Sequence, residues 1–326
     1  MPPFSKYFLP TLLTLLLHPK IEAQQEQMYT QFMVYKSILN PAANGTFESP
    51  MLIGSFRNQW TGIDGAPKTR LLSFSRPFLN NKVGFGTNLS LFTIGISRYV
   101  SVECAYAYRV NLKRGIVSVG IQPGIRQIWQ NWNDNRIHTT QPVPTDGAIP
   151  SGIQSKVIPN VGFGCYYAGL KRGKEKWFLG VSIPRLVKNN IDFAESGTTL
   201  SEEIQHFYLM TGYNYPLKDN LDFSPNLLIK YVRNAPLNAD LNLTFNIKQK
   251  YIAGVTYRTG GDNNKAGESV DIILGLQTTK NLFLCASYDV SLSRLRKFSN
   301  GTIELTTRWW FNPPEGSIEK ISKPNI

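Results

Sequence analysis

The chain has 326 residues, 35 Lys and Arg against 22 Asp and Glu, a formal net charge of +13 and a hydrophobic share of 42%. This length allows one large domain or two ordinary ones, and the basic balance speaks for acidic partners or anionic lipid without favouring any fold. Beyond the first residues no run of 18 apolar residues exists, which excludes helical membrane spans.

Residues 1–23 have the order of a signal peptide: Lys6, an apolar stretch from Phe8 to Leu17, and Ile21-Glu22-Ala23 as a cleavage point. Pro10 and Pro19 speak against a retained helix, and no Cys stands at the cleavage point for a lipid anchor. Export makes nucleic acid an improbable partner despite the charge. Removal of Lys6, Lys20 and Glu22 leaves +12. Residues 24–50 form a separate N-terminal segment. Met28, Phe32, Tyr35 and Leu39 recur at helical spacing and predict a short helix that Pro41 ends. The segment could plug a barrel, dock on a partner, or pack against the barrel wall.

From 51 to 312 the dominant signal is a period of two. Val100, Val102, Cys104, Tyr106, Tyr108, Val110 and Leu112 alternate with Ser101, Glu103, Ala105, Ala107, Arg109 and Asn111. Leu237, Ala239, Leu241, Leu243, Phe245 and Ile247 alternate with Asn238, Asp240, Asn242, Thr244, Asn246 and Lys248. A strand sends successive side chains to opposite faces, so each run has one greasy and one wet face. Similar runs occupy 51–58, 69–77, 82–91, 115–128, 156–170, 175–184, 204–216, 221–233, 250–260, 268–279, 281–291 and 302–311, giving fourteen strands. Several are longer than the ~5–6 residues of a globular strand and match the ~9–11 of a tilted membrane-crossing one. The predicted fold is therefore all-β: a transmembrane antiparallel up-and-down β-barrel of about fourteen strands. A mean hydropathy of −0.21 fits, because half of each strand faces a polar interior. Tyr106, Tyr108, Tyr166, Tyr167, Trp177, Tyr213, Tyr215, Trp309 and Trp310 are candidates for the aromatic girdles of such a barrel.

Short turns at 79–82, 112–115, 171–174, 217–220, 248–250 and 279–281 interleave with longer connections at 58–68, 92–97, 129–155, 185–203, 260–267 and 292–301; the short 234–236 breaks the alternation. Short turns belong in the periplasm and long loops outside. The loop 129–155, with Trp129, Trp132 and His138, is expected over the mouth, and 313–326 reads as a flexible periplasmic tail.

The short turns and adjoining strand ends carry Lys82, Lys113, Arg114, Lys171, Arg172, Lys174, Lys176, Lys218, Lys248, Lys250 and Lys280, opposed by Glu175 and Asp219. Lys113, Arg114, Lys171, Arg172, Lys174 and Lys176 are the candidate partner-binding residues of that basic rim. Its two readings are attraction to anionic headgroups and docking of an acidic periplasmic partner.

Catalytic and cofactor patterns are absent from the sequence. His138 and His206 have neither a second His at i, i+4 nor a Cys-x-x-Cys, so no zinc motif forms. No Gly-x-Ser-x-Gly elbow occurs. Gly84-Phe85-Gly86 and Gly162-Phe163-Gly164 lie inside strands and suit curvature or close packing better than phosphate. Asp262-Asn263-Asn264 lacks the Gly and Glu of a calcium loop in register. Cys104, Cys165 and Cys285 fall in strand runs, where an odd count argues against a disulfide framework and leaves room for one bridge. No cofactor, metal site or enzyme activity is expected.

Two segments carry a family resemblance. Near the start stand Gln31-Phe32-Met33, Leu39-Asn40-Pro41-Ala42, Arg57-Asn58-Gln59-Trp60, Gly65-Ala66-Pro67-Lys68-Thr69 and Leu72-Ser73-Phe74. Near the end stand Ser287-Tyr288-Asp289, Leu292-Ser293, Leu295-Arg296-Lys297-Phe298-Ser299-Asn300-Gly301 and Glu304-Leu305. In this order they resemble the PorP/SprF family. The resemblance implies a Gram-negative outer-membrane component of the type IX secretion and gliding machinery. Its implied partners are outer-membrane lipid, periplasmic secretion-ring proteins, and a surface adhesin or other secreted cargo. The run Asn40-Pro41-Ala42-Ala43-Asn44-Gly45 has Ala43 where many relatives have an aromatic after the first Ala, which leaves subfamily and cargo open. The alternative is a general or substrate-specific pore. Arg294, Arg296 and Lys297 form a basic cluster in the last outer loop, able to meet lipopolysaccharide phosphates or simply water.

Overall fold

The alternation closes into a wall. The computed structural model describes residues 26–47, 49–137, 150, 152–171, 174–193, 202–260 and 267–311. The signal region 1–23, most of the tail 313–326, Asp262-Asn263-Asn264 and His138 lie outside them.

The strand segments are β1 (Met51–Asn58), β2 (Lys68–Phe78), β3 (Val83–Ile94), β4 (Ser97–Leu112), β5 (Gly115–Asn131), β6 (Ile153–Lys171), β7 (Lys174–Ile183) and β8 (His206–Tyr213). They continue as β9 (Tyr215–Lys218), β10 (Leu221–Val232), β11 (Asn238–Ile247), β12 (Tyr251–Arg258), β13 (Ser269–Gln277), β14 (Leu282–Ser291) and β15 (Thr302–Trp310). β8 and β9 are halves of one wall strand. Both pair with β10, and the register runs unchanged from Asn226↔Gly212 to Phe223↔Tyr215. The break falls opposite Pro225, whose missing N–H interrupts the ladder. Fourteen strands therefore build the wall, as the sequence predicts.

Each strand pairs antiparallel with its neighbours in the chain, and β1 closes on β15 from Met51↔Trp310 to Asn58↔Ile303. Closure removes the unpaired edges that a bilayer would not tolerate. The face assignment holds: Leu241, Leu243 and Phe245 are exposed on the outer surface, while Asp240, Asn242 and Thr244 are buried inside. Leu243→Arg is expected to destabilise the folded barrel in bilayers by about 2–4 kcal/mol, against under about 1.5 for Leu243→Met, read from urea unfolding in lipid vesicles.

Several local expectations are corrected. Tyr166 and Trp310 are buried inside the barrel and do not belong to the girdle, whereas Tyr106, Tyr108, Trp177, Tyr213, Tyr215 and Trp309 are exposed on the wall. Adjacent aromatics cannot share a face of a strand, so one of each pair 166/167 and 309/310 had to point inward. The expected loop 92–97 is a tight turn at 95–96, because β3 and β4 pair as far as Ile94↔Ser97. Trp129 lies in β5 and not in a loop over the mouth. Among the described residues Cys104, Cys165 and Cys285 are free thiols.

The predicted helix through 28–39 shrinks to one α-helical turn, Lys36–Leu39, followed by a 3-10 turn, Pro41–Ala43. The Thr30 and Gln31 N–H groups, which the first turn of any helix leaves free, donate to the Glu304 carboxylate at 2.9 and 3.2 Å, and residues 26–35 follow the barrel interior as extended chain and a turn. The apolar spacing was real, but the barrel interior sets the backbone path.

Candidate functional site

The N-terminal segment runs inside the barrel. It descends from Glu26, in the half nearer the long loops, to Lys36 near the turn rim, and joins β1 at that rim. Tyr29, Phe32, Val34, Tyr35, Leu39, Ala42 and Ala43 are buried against inward Ile53, Tyr166, Phe178, Tyr208, Met210, Leu228, Ile273, Phe283 and Trp310. A strand's inward face normally wets a lumen; here apolar inward side chains receive apolar segment side chains.

Three polar anchors hold it. At the top the Glu26 carboxylate takes Arg126 Nη2 at 3.3 Å and also pairs with Arg185. Arg126 reaches on to Glu203 at 3.0 Å, and Glu203 accepts from Asn160 and Asn189. This ties the connection after β7 to the wall.

The middle anchor is the densest. Arg57 forks to Asp289 at 2.8 Å and Glu304 at 2.9 Å. The same guanidinium donates to Thr30 Oγ1 at 2.8 Å, and Thr30 Oγ1 donates to Asp289 at 2.8 Å. Tyr35 OH donates to Glu304, as do the two backbone N–H groups above. Next to it Arg258 bonds Asp240 at 2.9 Å, and Asp240 also accepts from Lys230 at 2.8 Å. Each of these charges except Lys230 is almost wholly shielded from solvent. Buried charges persist when paired and hydrogen-bonded, and Glu304, which accepts from Arg57, Thr30, Gln31 and Tyr35, meets that condition most fully; Arg57 Nε and Asp289 Oδ1 have no partner among the described residues.

At the bottom Lys36 pairs with Glu175 and lies 3.6 Å from the Phe178 ring centroid. Glu175 also accepts from Tyr166 OH at 2.7 Å. Asn40 caps the Pro41–Ala43 turn through Ala42 N–H at 2.9 Å, and its amide donates to the Cys165 and Val181 carbonyls. A Cβ on Gly164 would collide with Asn40, and one on Gly84 or Gly86 with Asn44. The two Gly-Phe-Gly runs thus serve close packing: Gly86 and Gly164 leave room for the Asn44 and Asn40 side chains, Gly84 for the Asn44 backbone and Gly162 for the Pro184 backbone. Gly45, at φ +67° and donating to Ser75 Oγ at 2.9 Å, makes the exit turn.

The motif residues from the two chain ends meet because β1 seals against β15. Asn40, Pro41, Arg57 and Asp289 are inside. Gln59, Pro67, Asn300 and Gly301 build a collar: Gln59 N–H donates to Pro67 O, Asn300 N–H to Thr61 O, and Thr61 N–H to Gly301 O. Trp60 N–H bonds Thr302 at 3.1 Å, Gly65 accepts from Gly95 N–H, and Tyr288 OH donates to Asn300 O. Asn58 ends β1 beside this collar, while Lys68, Leu295, Arg296 and Lys297 do not join the lumenal cluster. Thr30 and Arg258 were not singled out in the sequence, and Tyr35 and Glu304 entered it only through helical spacing and the family resemblance; for Arg258 a base on the wet face of a strand is the signal, and Thr30 carries none.

The described part of the basic rim is at the turns, and Glu175 and Lys176 depart from the expected facing. Lys82, Lys113, Arg114, Lys218, Lys248 and Lys250 are exposed at the turn rim. Lys171 and Lys174 are backbone ladder partners at the β6–β7 turn, and Arg172 lies outside the described residues. Glu175, expected to oppose them, faces inward. A bulge on β7 skips Lys176 in the register between Trp177↔Gly169 and Glu175↔Leu170, which reverses the facing of Glu175. Lys176 rests over the Tyr213 ring at 5.4 Å, so it is turned to the wall. At the other rim, Arg136 holds the Asp134 carboxyl down at about 2 through a 2.6 Å ion pair.

Among the described residues no cluster of three or more His, Cys, Asp or Glu has metal-holding geometry. His206 Nδ1 bonds the Ile204 carbonyl two residues away.

Residues 21–309 match the family described as type IX secretion system membrane protein PorP/SprF. No curated relative matches. Among solved structures the Ralstonia pickettii toluene transporter TbuX aligns with a TM-score of 0.51 at 10% identity, over 85% of this chain and 93% of TbuX. A monoaromatic hydrocarbon channel, CymD, aligns at 0.50 and 12% identity over 88% and 94%. At such identities these likenesses show the outer-membrane barrel fold alone.

Proposed function

Because the chain belongs to the PorP/SprF family of type IX secretion system membrane proteins, we propose that it serves that apparatus as a plugged outer-membrane scaffold. The lumen, filled by the N-terminal segment, carries no flux at rest, and the turn rim binds a periplasmic partner. The observation that carries this reading is the pairing of an occupied lumen with a predominantly basic rim. With Glu175 withdrawn inside, Asp219 is the remaining acid of the set first assigned to that rim. A pore would place its charges around open water; here they are spent on anchoring the segment.

The partner expected is an acidic periplasmic ring protein, held by attraction that salt weakens. Reversing Lys113, Arg114, Lys171, Arg172 and Lys174 to Glu is expected to leave a heat-modifiable barrel in the membrane. Co-purification of periplasmic components and release of secreted cargo should both fall. For the unaltered protein, raising salt from about 0.1 to 1 M should strip the same partners, as the screening length drops from ~10 to ~3 Å. Normal co-purification and secretion in the assembled variant would leave attraction to lipid headgroups as the role of the rim.

A further inference from the structure

The outer wall has a feature that neither plugging nor docking uses. Across the closing seam, where β1 meets β15, the membrane-facing surface is hollowed by about 770 Å³. Gly54 has no side chain there, and its row neighbours across the ladders are Leu72 and Thr307. Leu305, Leu284 and Phe56 flank the hollow, and Arg70 lines it too. Its volume is that of a small-molecule site, roughly 300–1,000 Å³, yet it opens sideways into the bilayer. Only a molecule already in the membrane can fill it.

Above the hollow the same surface turns basic. Lys68 begins β2 and Arg98 stands at the start of β4, both at the loop rim and level with Thr93 between them in the ladder. Arg70 is one outward position below Lys68, between it and the hollow. All three side chains are exposed. Their outward neighbours on β2–β4 are Leu72, Leu89, Leu91 and Val100, with no acid among them; Glu103 of β4 points inward, where Gln122 donates to it. Arg98 additionally lies 5.6 Å from the Trp129 ring, an aromatic at interfacial depth. Three cations on one lipid-facing surface are costly in a bilayer unless they meet anions.

We propose that this surface is a binding site for a phosphorylated glycolipid of the lipid A type, with phosphates on Lys68, Arg70 and Arg98 and an acyl chain in the hollow at Gly54 and Thr307. The position at the loop rim selects the outer leaflet. Three cations with no acid on the same wall surface favour a lipid with more than one phosphate over a singly charged phospholipid, and guanidinium forks suit phosphate geometry; Asp64, on the adjoining loop, faces Arg136 at 3.7 Å. The hollow supplies the apolar half of the same molecule directly beneath its charged half. This site is independent of the rim that faces the periplasm, so its failure and that of the docking reading are separate results.

The probe is purified bisphosphorylated lipid A, titrated into the delipidated, detergent-solubilised full chain and followed by native mass spectrometry. Dephosphorylated lipid A and phosphatidylglycerol are run in parallel. Lipid A should be retained in preference to both. The triple variant Lys68→Gln, Arg70→Gln, Arg98→Gln should weaken retention by about tenfold or more. Ala286→Phe, which fills the hollow from an exposed wall position and leaves the cations in place, should weaken it as well. Heat-modifiable migration verifies that each variant is folded. Equal retention of phosphatidylglycerol and lipid A, undiminished retention in the triple variant, or undiminished retention in Ala286→Phe would each overturn the site as drawn.

Discussion

Removal of residues 26–47 is expected to convert a silent barrel into a conducting one, with single-channel current in planar bilayers rising by roughly tenfold or more over the full chain. The segment occupies the lumen at three depths, through Glu26, the Thr30–Tyr35 stretch and Lys36. Its deletion withdraws Phe32, Tyr35 and Leu39 from the inner core and leaves inward Ile53, Tyr208, Met210 and Ile273 facing an unfilled lumen. The wall itself loses no ladder bond, since all fourteen strands pair with one another and close through Met51↔Trp310. Assembly should therefore survive, with lower thermal stability. An assembled barrel whose conductance stays at the level of the full chain would sink the plug reading, and loss of partner binding in that barrel would make the segment a docking element. Failure to assemble would assign it a packing role.

Arg57→Ala should cost about 3–5 kcal/mol, the largest loss expected from any single side chain of the lumen. One guanidinium there satisfies Asp289, Glu304 and Thr30 together, with a side chain that is 2% exposed. Truncation strands two buried carboxylates and loosens the segment they hold, so the effect exceeds that of one hydrogen bond. Arg57→Lys should recover only part of the loss, because a single ammonium cannot span both carboxylates as the planar fork does. Thr30→Val, which removes one hydroxyl from the same cluster, should cost about 1–3 kcal/mol. Urea unfolding of the refolded barrel in lipid vesicles, read by heat-modifiable migration, orders the three variants. A loss under about 1 kcal/mol for Arg57→Ala would show that water, and not the ion pairs, satisfies these carboxylates.

The two chain-end motifs acquire a common explanation at the seam. Arg57 comes from β1, Glu304 from β15 and Asp289 from β14, while Thr30 comes from the segment before the wall begins. The last strands to be made supply both carboxylates that hold the first residues of the described chain. Seating of the segment is thereby tied to the closed barrel: Arg57 of β1 and Glu304 of β15 face each other across the closing seam.

The sequence by itself determined the architecture. Strand existence, strand count, the outward Leu241-Leu243-Phe245 face and the rim placement of Lys113 and Arg114 all follow from period-two alternation and connection length, which are local properties. Even the inward turn of Tyr166 and Trp310 was implicit in adjacent aromatics on one strand. What the tertiary structure alone decided are the contacts made across the lumen. Nothing within a few residues of Glu304 reveals that it receives the backbone of Thr30 and Gln31, because that bond spans 274 positions. The helix predicted over 28–39 shortened to Lys36–Leu39 for the same reason: the path of the chain ahead of it is set by Glu304 and Asp289 on distant strands. The inward facing of Glu175 depended on a single bulged residue, Lys176, and one inserted position inverts every facing beyond it. Periodicity records which side of a strand is wet, but the partner waiting on that side is fixed only when the ring closes around the chain that fills it.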